Sequence, residues 1–302
     1  MAEREPAKVG GRPLWLVLAP GVFLVFWSGG FVFAKMGLAY AEPITFLAIR
    51  YLIVLALLLP VALVLRPPLP RGRTEWGHLA VVGLLIQALY FGLTYWSMKL
   101  GISAGGLALI LSLQPILVAV LVSWMAAEKV GLWRWAGLVL GLLGAGLVIV
   151  ARSEIAATSV MAQVCAFVAL AGITAGTLYE KKFGRPHHPV TSNLVQYAVG
   201  LAAILPLALL TESFHVEWSG ELVISLGYLV VANSLISVTL LLLMIRRGEV
   251  SRVSALFFMV PPAAALIAWL VLDESMPPLA LMGMACATVG VAIVSRPAPR
   301  LR

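Results

Sequence analysis

The sequence predicts an all-α polytopic membrane protein of ten transmembrane helices, built as two inverted five-helix repeats. Three observations carry this. Of 302 residues, 62% are apolar and 11% charged, and the mean hydropathy is +1.02, far from the balance of a soluble chain. The charges that remain fall between apolar runs of about membrane length. The chain also matches itself at a fixed offset of 146 residues.

A hydrocarbon core of about 30 Å needs around 20 helical residues. Run 14–34 follows Arg4, Lys8 and Arg12 in the manner of a signal peptide, but no small-residue cleavage site stands out and nine more runs follow, so it is a span. Next come 44–65, 76–98, 103–126, 132–150, 159–180, 190–210, 220–244, 251–272 and 278–295, each bounded by charged or Pro-rich breaks. The runs are continuous rather than alternating, which favours helices over barrel strands in lipid.

Assigning Lys and Arg to alternate sides tests the count. One set of segments, both tails included, holds seventeen cations, and the other holds Lys35, Lys99 and Arg152. One missed span would destroy that split. Both termini are therefore expected in the cytoplasm. The +8 charge is read as a topology signal rather than a nucleic-acid footprint, because no basic stripe exists. Cys165 and Cys286 both lie in apolar runs, so no disulfide framework, metal site or other cofactor is expected.

The 146-residue offset pairs Gly30 with Gly176, Lys35 with Lys181, Pro43 with Pro189, Tyr51 with Tyr197, Pro115 with Pro261, Glu128 with Glu274 and Gly144 with Gly290. Five spans per unit is odd, so the second copy enters from the opposite side. The expected organisation is a tail at 1–13, a first repeat at 14–152, a second at 159–296 and a tail at 297–302. Inverted repeats of this kind are a common frame for secondary transporters.

Phe26-Trp27-Ser28-Gly29-Gly30-Phe31 with Lys35, Pro43 and Arg50, followed by Pro115, Glu128 and Gly137, Gly141 and Gly144, resembles the EamA family of the drug/metabolite transporter superfamily. Pro261, Glu274, Gly283 and Gly290 resemble its second unit, so the likeness covers about residues 14–296. It implies a ten-helix carrier in a bacterial inner membrane for amino acids, their derivatives or other small metabolites, often working in export.

Polar side chains at mid-depth are costly in lipid and so are informative. Gln87 and Asn233, paired at the 146 offset, are expected either to line a cavity on the pseudo-two-fold axis or to join helices. Helical spacing adds Tyr90 and Thr94 to the face of Gln87, and Ser237 to that of Asn233. Trp27, Ser28, Thr174 and Thr177 would complete an aromatic and hydroxyl wall suited to a small zwitterion. Arg50 is read either as a docking point for a carboxylate or as a structural or gating residue, and its counterpart is the neutral Gln196. Tyr95 and Trp96 are expected in an interfacial belt. Pro115 and Pro261 are expected to kink the middles of spans 4 and 9, as gating elements or fixed bends. Glu128 and Glu274 are expected to cap helix ends or pair with cations. Spans 5 and 10 are expected to pack through their glycines within a monomer.

No phosphate loop exists to couple ATP. Facilitated diffusion, exchange and proton antiport stay open as energy sources. An enzyme is disfavoured because no GxSxG or HExxH motif occurs and His78, His187, His188 and His215 fall at span edges or in loops. A channel is the remaining alternative. The expected partners are a small-molecule substrate and the bilayer.

Overall fold

The computed structural model describes residues 14–102, 107, 110–124, 131–151, 159–247, 250–272 and 277–295. Glu128, Glu274, Arg152 and both tails lie outside the described residues, as does the expected beginning of span 4.

Ten helical stretches succeed one another among the described residues. They are α1 (Leu14–Gly37), α2 (Pro43–Leu65), α3 (Arg73–Lys99), α4 (Gln114–Trp124), α5 (Leu132–Ala151), α6 (Val160–Phe183), α7 (Pro189–Thr211), α8 (Gly220–Arg247), α9 and α10 (Pro278–Ser295). Helix α9 runs through Val250–Ala255, a 3₁₀ turn Leu256–Met259 and Val260–Leu272. Six of these segments, Leu18–Gly37 within α1 together with α2, α3, α6, α7 and α8, are long and apolar enough to cross a bilayer, and shorter apolar segments lie in α5, α9 and α10. Leu63, Val64, Leu132, Leu209 and Leu210 point outward, as side chains facing hydrocarbon would.

The expected boundaries of α2, α6 and α7 agree with the observed ones to within three residues. The two prolines each stand beside an interruption of their span. Pro115 and Pro261 are each the second residue of a helical segment, Gln114–Trp124 and Val260–Leu272. Each follows a break, a turn at 112–113 and the 3₁₀ turn at 256–259. Pro115 thus restarts a helix after a turn, where proline forfeits no intrahelical N–H bond, while Pro261 follows a 3₁₀ turn near the middle of the continuous α9, where a proline disturbs the helix.

Helix α2 crosses its repeat partner α7 at the centre of the fold, where the Tyr51 and Tyr197 rings meet edge to face at 5.2 Å. The link before α2 meets the link after α7: Ala41 bridges Val216, and Glu217 N–H donates to Tyr40 O at 2.9 Å. At the opposite end, Thr191 at the start of α7 donates to Pro68 O beyond α2 at 3.1 Å. The two helices therefore run antiparallel, which is what inverted repeats require. Helix α1 packs on α8 as α6 packs on α3, and α5 packs on α10 to one side. That last seam is nearly side-chain free: a Cβ on Gly144 would strike the Gly283 carbonyl at 2.6 Å, and one on Gly290 would strike Gly137 O at 2.7 Å. The glycines of spans 5 and 10 thus meet within one chain.

Candidate functional site

Two helices widen at matching places. Helix α3 carries a π segment at Leu84–Tyr90 and α8 carries one at Leu229–Ser237, and the 146-residue offset superposes them. A π turn loosens the i→i−4 ladder and leaves backbone carbonyls available to side chains, which is why such turns gather at functional sites. Both loosened turns are capped from the neighbouring central helix. Tyr51 Oη donates to Gln87 O at 2.7 Å, and Tyr197 Oη donates to Ser234 O at 3.1 Å.

One residue before Tyr51, Arg50 reaches from α2 to α8. Its Nε donates to Ser234 Oγ at 2.8 Å, Nη2 to Asn233 Oδ1 at 2.6 Å and Nη1 to Tyr95 Oη at 3.0 Å. The guanidinium also lies 4.8 Å from the centre of the Phe91 ring. Arg50 is fully buried, and among the described residues no carboxylate pairs with it. Taking a cation out of water costs several kcal/mol, so three neutral acceptors and one ring face compensate it only in part. Gly30 makes room for this cluster: a Cβ there would sit 2.5 Å from Asn233 Nδ2.

A narrow crevice of about 20 Å³, room for a water molecule, adjoins Arg50. Trp27, Gly30, Phe31, Tyr90, Phe91, Thr94, Tyr95 and Asn233 wall it. Trp27 stacks on Tyr90 with ring centres 6.1 Å apart and is held from behind by Phe23 and Phe257. Such a wall accepts apolar groups on its rings and polar groups at one end.

Of the residues singled out from sequence, Trp27, Arg50, Tyr90, Thr94 and Asn233 come together at this crevice. The others lie elsewhere. Gln87 is buried against Gly200 of α7, and its amide approaches the Tyr197 hydroxyl without completing a hydrogen bond. Gln196 is equally buried with both amide atoms unpartnered, as are the hydroxyls of Ser28 and Ser237. Thr174 and Thr177 each donate to the carbonyl four residues back at 2.7 Å, and Thr177 also takes a long bond from Gln114, whose amide reaches Ser254. Tyr95 faces inward to Arg50 and is 3% exposed, which corrects its placement in an interfacial belt. Ser234 and the Tyr51/Tyr197 pair escaped the sequence reading. The tyrosines were visible in the repeat match, but a tyrosine at mid-span gives no sign of which carbonyl it caps.

The two ends of the bundle are closed by different chemistry. At the α1–α2 end, the Glu212 carboxylate accepts from Ile44 N at 3.0 Å and Thr45 N at 2.6 Å, capping α2 across the repeat boundary. Lys99 stands 3.9 Å from Glu212 and 4.0 Å from Glu42. Glu42 in turn accepts from Ser213 N at 2.7 Å and Oγ at 2.9 Å. Desolvation opposes ionisation of Glu42, but these bonds and the Lys99 charge together hold its carboxyl below the usual range. At the α6–α7 end, Arg246 of α8 pairs with the buried Glu180 of α6 and reaches Ser192 Oγ at 3.3 Å. Burial, the leading influence, leaves the nearby His187 imidazole below its ordinary pKa. Among the described residues no group of three His, Cys, Asp or Glu could hold a metal.

The profile of the EamA-like transporter family matches residues 14–150 and again 160–296. The uncharacterized transporter YvbV of Bacillus subtilis is 27% identical over 276 residues, covering 90% of this chain and 88% of that protein. A Salmonella typhimurium protein named "Probable amino-acid metabolite efflux pump" is 25% identical over 283 residues, covering 89% and 91%. One crystal structure aligns with a TM-score of 0.78 over 93% of this chain and 96% of the other at 18% identity, a likeness of fold.

Proposed function

Because the chain belongs to the EamA-like transporter family, we propose that it is a secondary transporter that exports amino acids or their derivatives by alternating access. Its ten helices each cross a bacterial inner membrane, with both termini in the cytoplasm, in keeping with the seventeen-to-three division of cations. The α1–α2 end is then the outer one. The observation that carries the reading is the aromatic and amide crevice at the point where α1, α3 and α8 of opposite halves meet around α2. A site between inverted halves is reached from one side or the other by exchanging the conformations of those halves. The printed name of the Salmonella relative supports the cargo class.

In this mechanism the end clasps alternate. Release of Glu212 and Glu42 from the α2 and α7–α8 backbones opens the crevice outward, while the Arg246–Glu180 pair holds α6, α7 and α8 together at the inner end. Breaking that pair and remaking the outer caps exposes the crevice inward. Trp27 and Tyr90 contact the apolar part of the cargo, and the unpartnered Thr94 hydroxyl offers it a hydrogen bond.

The test is counterflow. Proteoliposomes preloaded with an amino-acid mixture should accumulate labelled amino acid transiently and saturably, and cells overproducing the chain and fed dipeptides should release free amino acids faster than cells lacking it. Flux that rises linearly with gradient would replace the carrier with a channel, and no flux of any amino acid would remove this cargo class.

A further inference from the structure

Arg50 asks for an explanation that the fold does not supply. Its repeat counterpart Gln196 occupies the same position on α7, fully buried and uncharged. The α7 crossing with α3 is therefore built without a cation, so the crossing geometry does not demand one. Arg50 is nonetheless retained with full burial, and the described residues bring it only neutral acceptors. A guanidinium has five N–H donors. Three are used by Ser234, Asn233 and Tyr95, and the guanidinium also approaches the Tyr197 hydroxyl, so its Nη atoms keep at most two further N–H groups for a ligand. Those partners also fix the side chain at the wall of the crevice, opposite the Trp27 and Tyr90 rings.

We propose that Arg50 is the docking point for the carboxylate of the cargo, and that it makes the site selective for solutes bearing a carboxylate over neutral isosteres of the same skeleton. The assignment rests on the carrier reading above and deepens it. The carboxylate accepts from the remaining Nη N–H groups and supplies the counter-charge that none of the described residues gives Arg50. The rest of the cargo lies along the aromatic wall. Asn233 is a positioning residue: Gly30 seats its amide against α1, and its Oδ1 holds Nη2.

The purified protein in detergent provides the test, with 3-phenylpropionate and 3-phenylpropanamide as matched probes and thermal melting as the readout. The carboxylate should raise the melting temperature at concentrations at least tenfold below those the amide needs. Arg50→Gln should abolish that preference. Should Arg50→Gln fail to fold, Asn233→Asp decides, because it keeps Arg50 and all its bonds while giving the guanidinium an internal counter-charge; carboxylate binding should fall at least tenfold. Equal binding of the two probes to the native protein, or undiminished carboxylate binding to Asn233→Asp, overturns the assignment. Counterflow separates the two levels. Amino-acid counterflow that is indifferent to the Asn233→Asp change leaves the carrier and removes the docking point. Arg50-dependent probe binding without amino-acid counterflow leaves the docking point and removes the amino-acid cargo.

Discussion

The crossing of α2 with α8 and that of α7 with α3 are copies of one another, yet they are packed to different ends. At the first, Val54 and Leu229 stand where the second has Gly200 and Gly83. A Cβ on Gly83 would lie 2.9 Å from the Gln196 backbone, and one on Gly200 would lie 2.6 Å from Gln87 Cβ. The α3–α7 seam is thus drawn tight, with two amides sealed in it. The α2–α8 seam keeps its side chains, bridges itself through Arg50 and borders the crevice. One backbone plan serves as a closed seam in one half and as the edge of a site in the other. The difference includes five pairs of side chains: Val54/Gly200, Leu229/Gly83, Arg50/Gln196, Ser234/Ala88 and Tyr95/Leu241.

The comparison breaks hardest if a charge is moved. Gln196→Arg would place a guanidinium opposite Ala88 and Leu241, where the other seam offers Ser234 and Tyr95, with Gln87 as the counterpart of Asn233 left to accept from it. A buried cation without its partners costs about 3–5 kcal/mol, so this variant should fail to yield monodisperse protein in size-exclusion chromatography. Wild-type yield would mean the seams are interchangeable. Next in size is Gly83→Leu, which copies Leu229 into the tight seam. Overpacking costs about 1–3 kcal/mol, and the melting temperature should drop while Gly77→Leu, at an open surface position, leaves it unchanged.

A smaller effect is expected from Glu212→Gln at the outer clasp. Hydrogen bonds to a charged group contribute about 1.5–3 kcal/mol and an amide retains part of that, so closure should weaken by about 1 kcal/mol. Faster maleimide labelling of Met98→Cys, at the crevice wall, would report it; an unchanged rate would show that the clasp does not govern access. The smallest effect concerns Glu42. Its folded pKa is lowered, so its contribution is complete above the ordinary carboxyl pKa and is lost as pH falls through the depressed value. Stability should accordingly be level in this respect between pH 7 and 5 and decline only in stronger acid, a decline that Glu42→Gln reduces.

Much of this architecture is legible in the residues. Apolar run length marks α2, α6 and α7 because lipid imposes one length on every span, and the Pro, Gly and Tyr matches reveal the duplication. Arg50, Asn233, Trp27, Tyr90 and Thr94 stand out because polar or aromatic groups at mid-depth need a reason. The π segments were not legible: an extra residue in one turn changes no composition and shifts periodicity by too little to notice among apolar neighbours. The side chain that Arg50 seeks was hidden for a related reason, since the widened turn of α8 rotates Asn233 and Ser234 together toward α2. Gln87, by the same symmetry, should have mirrored Asn233. Its neighbour Gly200 instead draws α7 close and seals it away, an outcome set by a packing distance that a sequence alignment does not contain.

The paired π turns also date something. A π turn is a helix with one residue too many, and the two copies align through theirs with no gap. An extra residue present before the chain was doubled accounts for both turns with a single event. A five-helix forebear carrying it would have met an upside-down twin across the same axis, with two identical widened turns and two identical central residues. The present inequality of Arg50 and Gln196 is then a later division of labour between heirs that began alike.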